Sequence, residues 1–250
     1  MATGLQAMTL ARNVMNALSP GSLLARKALV IAPHPDDESL GCGGLMASLA
    51  RAGCLFHTIF VTDGGASHPH SRAWPRDRLA AQREQEAAAA LACLGLADHP
   101  RTFLRLRDAQ MPTRSSCRWR AAITTLRAII RELEPDLALI PWRRDPHRDH
   151  RDSWLLIMDA LAQEPVAPVR LEYAVWLDEL GAPEDRPIDD EARPLAFEVA
   201  AALPRKRAAI SAHLSQIGNL ITDDPAGFRL TPQTIERLTR SDEIYWRPLQ

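Results

Sequence analysis

From residue 27 to residue 162, short apolar runs alternate with stretches whose apolar positions recur at helical spacing. The run Ala28-Leu29-Val30-Ile31 is uninterrupted, as in a strand covered on both faces, and predicts a first strand over 27–32. A helix is expected over 40–52, starting from the Gly-rich turn Gly41-Cys42-Gly43-Gly44, and a second strand over 55–62. Residues 78–94, rich in Ala, Glu and Gln and stopped by Gly95, predict the next helix. A third strand follows at 102–106 and an amphipathic helix at 116–134, ended by Pro135. A fourth strand over 136–142 and a helix over 153–162 complete the alternation. Strand–helix alternation of this kind implies right-handed crossovers and a parallel sheet with helices on both faces. The expected fold class is therefore α/β: a Rossmann-like, mostly parallel sheet in a three-layer sandwich.

Beyond residue 164 the pattern loosens. Pro165, Pro168, Pro183, Pro187 and Pro194 break up an acidic stretch, with a strand expected at 170–177 and a helix at 204–217. The remainder reads as a variable cap or edge. With no clean linker and no internal repeat, one domain over 1–250 is expected, more variable from about residue 165. Residues 5–18 have helical apolar spacing, but Arg12 and Asn13 interrupt it, so neither a signal peptide nor a membrane span is indicated.

Composition narrows the partners. A net charge of −1, arginines spread along the chain and only two lysines, Lys27 and Lys206, argue against a nucleic-acid partner. Cys42, Cys54, Cys93 and Cys117 lie far apart, which implies neither a disulfide framework nor a thiolate metal site. Reduced thiols fit a cytoplasmic location.

The chemistry gathers after two apolar runs. Ala32-Pro33-His34-Pro35-Asp36-Asp37-Glu38 follows the first strand, and His147-Arg148-Asp149-His150 follows Leu137-Ala138-Leu139-Ile140. Alone, the first segment reads as a turn that caps a helix, and the second as a surface loop. Together, at the carboxyl ends of what look like neighbouring parallel strands, they supply the ligand types of an open zinc site. A metal hydrolase is expected. Asp36, Asp63, Asp108 and His147 all fall just past predicted strand ends, which points to one shared cleft. Spacing alone leaves either Asp36 or Asp37 to ligate the metal.

These segments resemble the PIG-L/LmbE family of zinc-dependent N-deacetylases. The likeness rests on His34-Pro35-Asp36-Asp37-Glu38 with its glycines and on the HxDH segment. It extends to Val61-Thr62-Asp63-Gly64-Gly65, Arg83-Glu84-Gln85-Glu86, Phe103-Leu104-Arg105-Leu106-Arg107-Asp108 and His213-Leu214-Ser215-Gln216. The resemblance implies His34, Asp37 and His150 as metal ligands, for Zn2+ or for Fe2+ or another divalent ion. It further implies Asp36 as general base and His147 as the group that stabilises the oxyanion. Asp149 would hold and charge-tune His147, or else cap the following helix. The implied reaction removes an acetyl or other acyl group from the amide nitrogen of an N-acetylglucosamine-type glycoconjugate. The implied partner is that small molecule, and family members are often homo-oligomers. Arg148 stands where the family usually has Pro, so an effect on charged substrates is expected of it.

Other positions carry two readings each. Arg83 would meet substrate hydroxyls or lie on a solvated face beside Glu86; Asp63 and Asp108 would bind sugar hydroxyls or cap loops. Trp142 is the best placed of the six tryptophans to stack on a substrate, Trp74 could cover the mouth of the site, and Trp176 is expected in the core. His68 and His70 read as a solvated lid, Glu38 as a turn or supporting residue, and His213 as a buried or a cleft residue. Two further functions remain: an amidase of thiol conjugates using the same site, and a metal-binding module without turnover. A nucleotide-binding domain is disfavoured, because Gly41-x-Gly43-Gly44 lacks the GxGxxG spacing and carboxylates precede it.

Overall fold

A computed structural model describes residues 17–218 and 220–249. Most of the helical pattern read over 5–18 therefore lies outside the described residues. Five parallel strands, β1 (Lys27–Ala32), β2 (Leu55–Thr62), β3 (Arg101–Leu106), β4 (Leu137–Pro141) and β5 (Val169–Tyr173), form most of a sheet ordered β3-β2-β1-β4-β5-β7-β6. The last two, β6 (Ala192–Glu198) and β7 (Asp242–Pro248), pair antiparallel to each other, and β7 pairs antiparallel to β5. They lie in the stretch expected to be a variable cap, and they extend the same sheet.

Alternation along β1 divides the core. Ala28, Val30 and Ala32 face one apolar cluster, while Leu29 and Ile31 face a second, because successive side chains of a strand point to opposite faces. The first is covered by α1 (Asp37–Arg51), α2 (Arg76–Leu94) and, later in the chain, α6 (Leu203–Ala212); the second by α3 (Cys117–Leu133) and α4 (Arg148–Leu161). Three short helices, α5 (Leu177–Leu180), α7 (Leu214–Ile217) and α8 (Pro232–Leu238), complete the described set. None of the helices is long and apolar enough to cross a membrane.

Three boundaries differ from expectation for identifiable reasons. The glycines at 41, 43 and 44 lie inside α1, not in a turn before it. A Cβ at Gly41 would meet the Tyr173 ring at 2.2 Å and one at Gly44 would meet Val199 and Glu243 at 2.8 Å, so glycine lets α1 press onto the sheet and β7. Buried Glu243 accepts from the amides of Gly44 and Leu45 and from Lys206 Nζ at 2.6–2.8 Å, fixing that approach. Helix α4 begins at Arg148, not 153, because the polar HRDH segment is its first turn, capped by His147. The expected helix over 204–217 breaks at His213, whose φ and ψ of −82° and 63° leave the helical region.

The strand order reverses between β1 and β4, with Ala28 opposite Leu137 and Val30 opposite Leu139. Ligands in open α/β sheets bind at such a switch point, outside the carboxyl ends of the strands. The loops after β1 and β4 therefore open side by side there.

Candidate active site

The turn after β1 is short and self-bonded. The amides of Asp36 and Asp37 donate to His34 O at 3.0 and 3.2 Å, which delivers both carboxylates to the N-terminus of α1. That end of a helix favours negative charge. Asp37 Oδ2 accepts from His34 N at 2.8 Å and lies 3.1 Å from His34 Nδ1 and 3.2 Å from His150 Nε2. His34, His147 and His150 also bring one ring nitrogen each within 4.8 Å of one another.

This cluster fits a metal. Ligands about 2.0–2.1 Å from a tetrahedral zinc lie about 3.3 Å apart, close to the two separations at Asp37. His150 is fully buried and neither ring nitrogen has a hydrogen-bond partner of good geometry. Such an orphaned pair is costly, and a cation on Nε2 would relieve half of it. His34, Asp37 and His150 could thus hold a divalent ion; two imidazoles and a carboxylate suit Zn2+ and Fe2+ alike.

Behind each histidine stands a carboxylate. His34 Nε2 lies 3.2 Å from Asp149 Oδ2 and 3.3 Å from Asp108 Oδ1. His150 Nδ1 lies 3.4 Å from Asp145 Oδ1. Carboxylates in these places orient metal-binding imidazoles and raise their basicity. The grouping of His34, Asp108 and Asp149 within 4.8 Å is read as this outer support, since it uses the ring nitrogen opposite Asp37. Burial alone would lower the His34 pKa, but its bonds to Asp108, Asp149 and Asp37 raise it well above the usual imidazole value. Burial would raise Asp108, but the bond and charge of His34 hold it well below the usual carboxylate range.

Asp149 acts on His147 through its charge, which works to raise the His147 pKa, and through its backbone, but not through a carboxylate bond. Its carboxylate accepts from Ala109 N at 2.8 Å and faces His34, not His147. The connection to His147 runs the other way: Asp149 N, a first-turn amide with no helical acceptor, donates to His147 Nδ1 at 3.2 Å. His147 Nδ1 is therefore an acceptor and Nε2 carries the ring proton. Burial, with the charges of His34 and His150, lowers the His147 pKa to about 4, so it serves as a neutral N–H donor.

Asp36 stands beside the cluster without joining it. It is buried, and Arg83 Nη2 lies 2.9 Å from its Oδ2. Burial raises its pKa to about 6, against the Arg83 charge and with that of Asp37. A carboxyl poised there can take up and return a proton near neutral pH. Arg83, 3% exposed, also donates to Gly64 O at 2.8 Å and Pro35 O at 3.0 Å. The solvated pairing with Glu86 does not occur; buried Glu86 accepts from Ser215 N and Oγ.

A cavity of about 320 Å3 opens on this cluster, lined by His34, Asp36, Asp37, Ala66, Ser67, Arg83, Asp108, Ala109, His147, Trp176, Leu180, Gln216 and Phe228. A larger groove, about 580 Å3, lies between β5, β6 and β7 and is lined by no carboxylate or imidazole. Several expected contacts are absent from the cavity. Trp142 is fully buried against Trp246, with its indole N–H on Asp185 O at 2.7 Å; closeness in sequence to His147 did not place it on the cleft. Asp63 binds Arg76 at 2.6 Å and the amides of Gly65 and Asp108, clamping loops instead of facing substrate. Exposed Arg148 pairs with Asp152 at 3.3 Å on the outer side of α4. His68 is buried near Gly227, not a solvated lid residue, whereas His70 is exposed. Trp74 stacks under Arg78 away from the cavity, and buried His213 faces Glu38 and Ser39 at 3.4 Å.

Two features escaped the sequence. Trp176 packs against the edge of the first apolar cluster, as expected, but it also lines the cavity with Phe228. Asp145 accepts from the amides of His147, Val175 and Trp176 and faces His150; an acid two residues before the first His was its only signal.

A family model described as PIG-L, GlcNAc-PI de-N-acetylase, matches residues 29–161. The chain is 30% identical over 239 residues to a 1D-myo-inositol 2-acetamido-2-deoxy-alpha-D-glucopyranoside deacetylase of Acidothermus cellulolyticus, covering 78% of this chain and 80% of that one. Of several other relatives with that designation, the chain spans only about half the length. The N,N'-diacetylchitobiose deacetylase from Pyrococcus horikoshii superposes with a TM-score of 0.68 at 22% identity, covering 100% of this chain and 94% of that one. The 4-carboxy-2-hydroxymuconate hydratase from Pseudomonas putida superposes with a TM-score of 0.67 at 19% identity, covering 90% and 96%. At these identities the likeness is one of fold, which hosts more than one reaction.

Proposed function

The chain belongs to the PIG-L (GlcNAc-PI de-N-acetylase) family, and on that premise we propose that it is a metal-dependent hydrolase. It removes an acetyl or other acyl group from the amide nitrogen of a small, sugar-containing substrate of the N-acetylglucosamine type. The observation that carries this reading is Asp36, a buried carboxyl with a pKa of about 6 that is held by Arg83 beside the ligand cluster and lines the same cavity as His147.

A divalent ion held by His34, Asp37 and His150 would, when bound, polarise the amide carbonyl and lower the pKa of water. Asp36 takes the proton from water as it adds to the carbonyl carbon and returns it to the departing amine. Arg83 keeps that carboxyl in place and largely ionised at neutral pH. His147 offers its Nε2 proton to the carbonyl oxygen as negative charge develops there. Asp145, Asp149 and Asp108 orient the two histidine ligands. The designations of the relatives favour an N-acetylated glucosamine unit, and four free cysteines fit a cytoplasmic setting.

The test is amine release from a panel of N-acetylglucosamine glycosides by protein stripped of metal and reloaded with Zn2+ or Fe2+. Release by reloaded protein and none by stripped protein is expected. Tight metal binding without release from any panel member would contradict the reading and leave a metal-binding module.

A further inference from the structure

The cavity has two unlike ends. Around the ligand cluster most of its polar groups other than His147 Nε2 are already engaged: Arg83 binds Gly64 O, Pro35 O and Asp36, and Asp108 accepts from Ala66 N and faces His34. Gln216 donates to Ser67 and Ser215, which leaves its buried Oε1 without a partner as an acceptor for a ligand. The outer end offers no such groups. Trp176 and Phe228 meet edge to face with ring centroids 5.7 Å apart, and Leu180 stands 67% exposed on the same rim.

An exposed leucine beside an aromatic pair is ordinary on a surface, but here it continues the wall of a cavity that ends on the reactive cluster. The rim is also held in place. Phe228 N donates to Ser67 O at 2.7 Å, Asp223 and Asp224 bind the backbone of residues 70, 72 and 73, and Trp176 N is fixed by Asp145. A volume of about 320 Å3 is at the small end for ligand cavities, room for a sugar ring with one attached apolar group but not for a polymer.

We propose that Trp176, Leu180 and Phe228 form a subsite for an apolar group carried by the substrate next to the scissile amide. The inference rests on the hydrolase reading above. The apolar group can come from two sources, a longer acyl chain on the nitrogen or an apolar aglycone on the sugar.

The experiment compares kcat/KM for N-acetylglucosamine, its hexyl and phenyl glycosides, and N-hexanoylglucosamine on the metal-loaded enzyme. At least one apolar arm is expected to exceed the plain sugar by roughly 10- to 100-fold, the gain from burying a side-chain-sized apolar group. The arm that gains identifies the source. In Leu180→Glu, a change at an exposed position that the fold tolerates, and in Phe228→Ala, that ratio falls towards one. Equal kcat/KM for all four compounds overturns the subsite and leaves the hydrolase reading intact. Should nothing turn over, calorimetric titration of the same protein decides separately. Tighter binding of an apolar derivative than of the plain sugar, lost in Leu180→Glu, keeps the subsite and ends the hydrolase reading; equal binding overturns both.

Discussion

Replacing Asp145 by Asn separates the support of a metal ligand from ligation itself. The carboxylate is fully buried; Oδ1 accepts from His147 N at 3.0 Å and lies 3.4 Å from His150 Nδ1, while Oδ2 accepts from Val175 N at 3.1 Å and Trp176 N at 3.2 Å. An amide keeps one acceptor oxygen. If that oxygen stays toward His147, the new NH2 confronts two backbone donors. If it turns, the NH2 confronts His147 N–H and requires His150 Nδ1 to accept, which sends the ring proton to Nε2, the atom facing Asp37. Either arrangement leaves at least one buried donor without an acceptor, costing about 1–3 kcal/mol. It also removes the negative charge behind His150, and losing an outer partner of this kind weakens metal binding by about 10–100-fold, or about 1.4–2.7 kcal/mol. Competition with a chromophoric chelator measures zinc affinity, and urea unfolding of metal-free protein measures the structural cost. A folded variant whose zinc affinity stays within about threefold of wild type would refute the reasoning.

Three further outcomes are expected. Asp36 must be ionised to take a proton, so activity falls as pH drops through about 6, and Arg83→Met, by removing the opposing charge, moves that limb upward by about 1–3 pH units; a limb that stays fixed would separate Asp36 from the chemistry. Trp142→Phe loses the bond to Asp185 O and part of the contact with Trp246, so it costs about 1–3 kcal/mol in urea unfolding with KM unchanged; a higher KM without lost stability would restore Trp142 as a substrate contact. Arg148→Ala removes only an exposed pair with Asp152, worth about 0.3–0.5 kcal/mol, so kinetics on charged and neutral substrates stay alike, and a loss confined to anionic substrates would contradict its placement.

The parallel half of the sheet was legible because strands buried on both faces must be continuously apolar: β1 and β4 lie where their apolar runs predict them. β6 and β7 were not. Arg193, Pro194 and Glu198 are exposed positions of β6, the outermost strand of the sheet, where Pro is tolerated, so the run shows no apolar signature. Helix α4 started early for a related reason, since a polar first turn capped by His147 looks like loop in a sequence. At the site, the residues set by chain neighbours were readable: His34, Asp36 and Asp37 share one turn, and His147 and His150 one cap. Positions set by tertiary contact were not. Asp149 turns to His34 at the end of the neighbouring strand, Trp142 turns inward onto Trp246, and Asp145 becomes important only through what surrounds it.

The central claim is that Asp36 moves the proton and does not hold the metal. Zinc content and amine release measured on one preparation of Asp36→Ala test it most directly. The account predicts zinc bound as in wild type and turnover reduced by about 100-fold or more. Turnover near the wild-type rate, or zinc lost together with activity, would contradict it.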